Sequence, residues 1–299
     1  MIQKFVDYLR VERRYSERTI WEYERDLTEF CSFLNVEKSC FEVACASQED
    51  VRLWMVDMLD RGLSPRSVKR KLSALRSFYK FLLRVGLTSV DITRSLATPK
   101  ADKPLPVFFK ESEIAEAESG LAYADDFESV RDGLILEILY QTGMRRAELI
   151  GLCDADVVLV QSQLRVFGKR RKERIVPFGG GLKAQIEMYV EYRDGKFPPS
   201  SPAEQPFIIN NKGVRMTAGV LYRIVRKRMG EVSSLKKHSP HVLRHTFATS
   251  MLNAGADINT IKTLMGHASL VATQVYTHTT FSQLQSAYNK AHPRGKKKE

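Results

Sequence analysis

The apolar positions of this chain follow one rhythm up to about residue 96 and a mixed one afterwards. In the first stretch they recur every three or four residues, the spacing of helices with one buried face. Ile20, Tyr23, Leu27, Phe30, Cys31 and Leu34 form one stripe and predict a helix over 18–34. Val51, Trp54, Met55, Met58 and Leu59 mark another. Gly62 to Pro65 interrupts the pattern, with Ser64 suited to cap and Pro65 suited to open a helix over 65–85. In that helix Val68, Leu72, Leu75, Phe78, Tyr79 and Leu82 share about 120° of arc at helical spacing. Arg66, Lys69, Arg70, Arg76, Lys80 and Arg84 fall opposite, and no acidic residue occurs from Arg61 to Val90. A basic face that meets only water ordinarily carries Glu or Asp for i,i+4 pairing. Its absence favours a face that meets phosphates.

Residues 97–108 hold Pro99, Pro104 and Pro106 without periodicity and read as an extended linker. Beyond it, Val130, Leu134, Ile135, Ile138 and Leu139 predict an apolar helix over 126–141, ended by Gly143. Short alternating runs at 157–160, 163–167 and 173–178 predict a small antiparallel sheet. Helical patterns return at 182–192, 218–229, 240–253, 258–265 and 281–290. The expected protein is mainly α. An N-terminal helical bundle (1–96) is joined by the linker (97–108) to a second, α+β domain (109–299) carrying the small antiparallel sheet.

Composition narrows the function. The 299 residues are 43% hydrophobic, enough for real cores, and Lys plus Arg exceed Asp plus Glu by 47 to 35, a net charge of +12. Such an excess suggests a polyanionic partner, most simply nucleic acid. Cys31, Cys40, Cys45 and Cys153 form no C-x-x-C pair, which argues against a zinc site or a disulfide scaffold. Cys31 and Cys153 lie among apolar residues and read as small buried hydrophobes. Met1 to Leu9 contains Lys4 and Asp7 and does not resemble a secretory leader. No run approaches the roughly 18 apolar residues of a membrane span. The expected location is the cytoplasm, on DNA.

The candidate chemistry sits at predicted helix ends. Attack on a phosphodiester needs cationic donors for the non-bridging oxygens, a proton for the leaving oxygen and an in-line nucleophile. Arg145, in Thr142-Gly143-Met144-Arg145-Arg146-Ala147-Glu148, and Arg244, in His241-Val242-Leu243-Arg244, suit the first task, because a guanidinium binds two phosphate oxygens at once. Glu148, three residues on, could hold Arg145 in place. His241 and Arg244 share a helix face, and His267 follows a helix-terminating Met265-Gly266. Gly168-Lys169-Arg170-Arg171-Lys172-Glu173-Arg174 reads as a strongly cationic hairpin tip, in which Lys169 and Lys172 could each protonate a leaving oxygen. Tyr276, nine residues after His267, is a weak nucleophile alone, since a phenol has a pKa near 10. Neighbouring cations would favour its phenolate. Metal binding by His241, His245 and His267 finds no H-E-x-x-H pattern and no nearby acidic ligand.

Together these segments resemble the tyrosine recombinase (phage integrase) family, in its Xer branch. T-G-M-R-R-A-E-L-I-G-L is similar to the first arginine box. H-V-L-R-H-T-F-A-T is similar to the H-x-x-R box, and L-M-G-H-A-S-L-V-A-T-Q-V-Y-T-H to the box that carries the nucleophile. The G-K-x-x-K-E-R-x-V-P hairpin and the ending Ala-His-Pro-Arg at 291–294 fit as well, and the likeness spans essentially the whole chain. Arg170-Arg171 departs from the usual Gly-Asn, which touches the hairpin's conformation and DNA preference.

The resemblance implies a DNA-clamping N-terminal domain and a catalytic second domain. It implies a Tyr276 nucleophile forming a 3′-phosphotyrosyl bond, with Arg145, Arg244 and His267 bracing the phosphate and His241 assisting proton transfer. Lys169 is the implied general acid, with Lys172 as the fallback. Rejoining would need neither ATP nor a divalent metal, and no cofactor is expected. The implied partners are a double-stranded recombination site and a homo- or hetero-tetramer on DNA, with a related recombinase. A DNA translocase of the FtsK type is also implied. The implied task is resolving chromosome dimers before division. The helix from Phe281 is expected to dock on a neighbouring subunit. An integrase of a mobile element would share these motifs.

Overall fold

In the computed structural model, residues 1–40, 46–99, 107–122, 126–168, 173–199, 205–266 and 278–295 are described. The chain divides into two compact units, Met1–Pro104 and Leu105–Glu299.

Among its described residues the first unit is helical: α1 (Ile2–Val11), α2 (Glu17–Phe33), α3 (Gln48–Asp60) and α4 (Pro65–Arg84). Side-chain caps start three of them. Ser16, Ser47 and Ser64 accept from the N–H groups of Thr19, Asp50 and Ser67, donors that the first helical turn cannot satisfy internally. The predicted apolar stripes pack together. Phe5, Leu27, Phe30, Trp54, Met58, Leu72, Phe78 and Leu82 are buried in one core, and Phe5 meets Phe78 edge to face at 5.3 Å.

The basic side of α4 is narrower than the pattern implies. Arg66, Lys69, Lys80 and Arg84 are exposed, and Arg84 also donates to the Tyr8 hydroxyl at 3.1 Å. Arg70 instead forms a two-pronged pair with Asp26, and Lys71 joins it at 3.2 Å. Asp26 is fully buried and needs those cations. Arg76 donates to the Leu96 carbonyl at 3.0 Å. The missing acidic partners of α4 are thus partly supplied from α2, which a scan along one helix does not see.

The second unit is built around α6 (Phe127–Thr142), with Leu134, Ile135, Leu136, Ile138, Leu139 and Tyr140 all buried. A helix apolar on nearly every side must be covered on every side. α5 (Glu111–Ala122), α8 (Gly180–Lys196), α9 (Ala218–Val232) and α10 (Pro240–Asn253) pack against it. Beside them lie α7 (Arg146–Gly151) and a three-stranded antiparallel sheet in the order β1-β2-β3, with β1 Val157–Val158, β2 Gln163–Phe167 and β3 Glu173–Pro177. Leu164 pairs with Val176 and Val166 with Arg174, so one sheet face is inward. A satellite core joins α10, α11 (Ile258–Met265) and α12 (His278–Ala291) through Phe247, Met251, Leu264, Leu284 and Tyr288.

The expected α-rich architecture with its small sheet is therefore found. α12 packs on its own unit, with the Tyr288 hydroxyl donating to Gln141 Oε1 at 2.8 Å. Cys31 is buried as expected. Cys153 is only half-buried, and its sulfur accepts from Arg215 at 3.3 Å, so a polar contact replaces the apolar surroundings expected of it.

Candidate active site

The site begins where α6 stops. Gly143 adopts φ +57° and its N–H returns to the Leu139 carbonyl. Glycine is needed there twice: the backbone is left-handed, and a Cβ would lie 2.3 Å from Phe247 Cδ1. The turn sends Met144 into the core and leaves Arg145 as the N-cap residue of α7. Glu148 then reaches back. Its Oε2 accepts from the Arg145 N–H at 2.7 Å and its Oε1 from Arg145 Nη1 at 2.8 Å. One carboxylate caps the helix and aims the guanidinium.

α10 supplies the second arginine. Pro240 opens the helix with a φ already suited to it, and His241 and Arg244, three residues apart, share one face. Arg244 is buried. Its Nη2 donates to the Met265 carbonyl at 2.6 Å and its Nη1 to the Gly143 carbonyl. Burial pulls the guanidinium down to about 10, and neighbouring Arg145 pushes the same way, so it still carries its charge at neutral pH. His241 sits at the exposed first turn. Partial desolvation, then His245, Arg146, Arg244 and Arg145, hold its imidazole below the ordinary histidine range. It is largely neutral near pH 7 and free to exchange a proton.

Both arginines converge on the end of α11. Arg145 Nη2 donates to the Gly266 carbonyl at 3.1 Å, next to the Met265 carbonyl held by Arg244. Gly266 closes α11 at φ +64°, and His267 is the next residue. The last carbonyls of a helix lack internal partners and carry partial negative charge, so they attract cations. Residues 145, 244 and 266 are thereby brought to one place.

Arg174 joins them. It is buried on β3, where its Nη1 and Nη2 grip Glu148 at 3.0 and 2.8 Å. Arg174 and Arg145 together hold Glu148 below the ordinary carboxylate range against the effect of its burial. Sequence reasoning counted Arg174 only among the cations of the 168–174 hairpin tip; it lies instead on β3, buried. The available signal was an arginine two residues before Val176, at an inward position of an alternating strand.

Among the predicted site residues, Lys169, Arg170, Arg171, Lys172, His267 and Tyr276 lie outside the described residues. Among those described, no cluster of His, Cys, Asp and Glu is arranged to hold a metal ion. No described helix is long and apolar enough to cross a membrane. A cationic surface not singled out from sequence lies on α9, where Arg223, Arg226 and Lys227 are exposed beside Tyr222. No acidic residue occurs from Val214 to Gly230, the same signature as on α4. Arg146 ties this helix to the site through the Ala218 carbonyl at 3.2 Å.

Residues 112–283 match the phage integrase family, and residues 2–86 match the phage integrase N-terminal SAM-like domain. The chain belongs to this family and is a tyrosine recombinase, an enzyme that cleaves and rejoins DNA. Within the family it is of the Xer type. It is 36% identical to the tyrosine recombinase XerC of Bacillus subtilis, covering 99% of this chain and 97% of that protein. To the XerC of Pelobacter propionicus it is 39% identical, over 100% and 97%. The Tn1549 transposon integrase, solved in complex with transposon right end DNA, shares the fold at a TM-score of 0.72 and 18% identity, over 95% of this chain and 98% of that one.

Proposed function

We propose that this recombinase acts through a phosphotyrosyl intermediate at Tyr276. The phenolic oxygen attacks the scissile phosphorus, a Tyr276 O–P bond forms, and the bond from phosphorus to the 5′ oxygen breaks. Arg145, Arg244 and His267 neutralise the charge on the non-bridging oxygens. His241 assists with the phenolic proton, and Lys169 gives the departing 5′ oxygen its proton; Lys172 is the alternative donor. A 5′-hydroxyl from the partner strand then attacks the phosphotyrosine, and the phenol leaves. The bond energy is conserved in the ester, so neither ATP nor a metal is required.

The observation that carries this reading is the meeting of two guanidiniums, 99 residues apart in sequence, on the carbonyls that immediately precede His267. Cations fixed in place are worth most to a developing anionic charge, because they need no reorganisation when it appears. Residues 1–96 would clamp the duplex, with Arg66, Lys69, Lys80 and Arg84 against phosphates. The α9 cations and Arg170, Arg171 and Lys172 would extend the contact. Four protomers on paired sites, a related recombinase partner, a translocase, a cytoplasmic location and chromosome-dimer resolution complete the proposal, on the strength of the XerC likeness along the whole chain.

The test is a nicked suicide duplex bearing the sequence that the protein enriches from fragmented genomic DNA. A covalent adduct that survives denaturing electrophoresis and disappears in Tyr276→Phe is expected. An adduct on any other residue refutes the assignment. Recovery of a chromosomal site near the replication terminus favours dimer resolution; recovery of element ends favours an integrase.

A further inference from the structure

Three consecutive carbonyls at the end of α11 are each taken by a different arginine. Leu264 accepts from Arg174 Nε at 2.9 Å, Met265 from Arg244 Nη2 at 2.6 Å and Gly266 from Arg145 Nη2 at 3.1 Å. Arg145 and Arg244 are accounted for by the phosphate they would brace. Arg174 is not. It is 5% exposed, and its Nε, Nη1 and Nη2 all donate within the protein. A guanidinium so enclosed has no free edge to offer a phosphate.

Its position joins three pieces of the site. It stands on β3, two residues after Lys172. It grips both oxygens of Glu148, the carboxylate that aims Arg145. Its Nε holds α11 one turn before His267. The packing is close: a Cβ on Gly266 would lie 3.0 Å from Arg174 Nη1 and 3.1 Å from its Cζ. A planar fork with a third donor at its elbow satisfies both partners at once. Lysine, with one flexible ammonium, cannot.

We propose that Arg174 is a positioning residue for the recombination chemistry. It locks the Glu148 carboxylate and the end of α11 together, so that Arg145 and the segment entering His267 are set in one geometry. This rests on the reading of Arg145 as a phosphate-bracing residue. The role is indirect, since Arg174 acts through Glu148 and Leu264 and touches no substrate.

The test is single-turnover cleavage of the same nicked duplex, with DNA affinity measured in parallel. Arg174→Lys is expected to slow cleavage about 10- to 100-fold, the scale of a small misplacement of catalytic groups, with affinity within about 2-fold. The decisive readout is its combination with Arg145→Lys. If Arg174 works by aiming Arg145, Arg174→Lys adds little in that background. Penalties that multiply, or cleavage and affinity that fall together, overturn the proposal. So does an unchanged cleavage rate. Should Arg174→Lys fail to fold, Glu148→Gln replaces it under the same criteria, because it loosens the same joint from the other side. A wild-type protein that forms no adduct would sink the reading of the chemistry instead, which keeps the two failures distinct.

Discussion

At the scale of single residues, Arg145 and Arg244 do the same proposed chemistry from different surroundings. Arg244 is buried, and Gly143 and Met265 rely on it as a donor. Arg145 is partly exposed, and Glu148, its main partner, is held independently by Arg174. Arg244→Ala is therefore expected to lose cleavage and to cost about 1–3 kcal/mol of stability, the penalty of stranding buried acceptors. Arg145→Ala is expected to lose cleavage with a much smaller fall in melting temperature. Calorimetry beside the adduct assay checks both, and equal melting shifts would contradict the difference in burial. The identities of Arg145, Arg244, His241 and Glu148 were legible because each lies in a short ordered box. Arg174 was not, because a buried arginine declares itself only once its partners, 26 and 90 residues away, are known.

At the scale of elements, periodicity located the long amphipathic helices and the strands to within a few residues, since one buried face writes its spacing into the chain. α5 was missed because its sequence, ESEIAEAESGLA, is mostly small and acidic residues; among its described side chains only Ile114 and Ala117 enter the core. The face of α4 was read too broadly because a partner such as Asp26 lies on another helix. That correction yields a prediction. Lys69→Ala with Lys80→Ala is expected to lower the salt slope of DNA binding by about 2, as two phosphate contacts would. Arg70→Ala is expected to leave the slope nearly unchanged and to cost about 1–3 kcal/mol by weakening the neutralisation of Asp26. Salt titrations and denaturant unfolding decide it. The helix ends make a second prediction. Gly255 has φ +82° with open space around a Cβ, whereas Gly143 has φ +57° with Phe247 in the way. Gly255→Ala is expected to cost about 1–2 kcal/mol of backbone strain. Gly143→Ala is expected to add about 1–3 kcal/mol of overpacking and to slow cleavage, because the same turn aims Arg145. Equal costs at the two positions would show that Phe247 yields freely.

At the scale of the whole molecule, residues 288–294 pack into the second unit, and two buried groups there should make its stability depend on pH with opposite signs. Arg294 reaches the buried carboxyls of Glu118 and Glu137 at 2.6 Å each, and His292 stacks on Tyr288 at 5.0 Å. One guanidinium cannot neutralise two buried carboxylates fully. Burial first, and then Glu137, push Glu118 up to about 9. Burial also pulls His292 down to about 4. Between the ordinary carboxylate range and pH 9 the folded protein holds a proton on Glu118 that the unfolded chain releases. That contribution is complete below the unfolded pKa and is lost as pH rises through the window. His292 works the other way: from about pH 4 to its unfolded value near 6.5 the unfolded chain binds the extra proton, so stability rises with pH there. Between about pH 4.5 and 6.5 the two slopes oppose each other and nearly cancel, so the unfolding transition of the second unit is expected to be nearly flat there and to fall as pH rises from about 6.5 toward 9. Glu118→Gln, a neutral side chain of the same shape, should remove the alkaline fall and uncover a rise in stability from about pH 4 to 6.5 that Glu118 offsets in the native chain. His292→Phe should extend the fall with rising pH down to the ordinary carboxylate range. Calorimetric scans of the three proteins across that range read the slopes directly. An alkaline limb that persists in Glu118→Gln would mean that the two carboxyls are both ionised around Arg294, and that the end of the chain is held by charge alone.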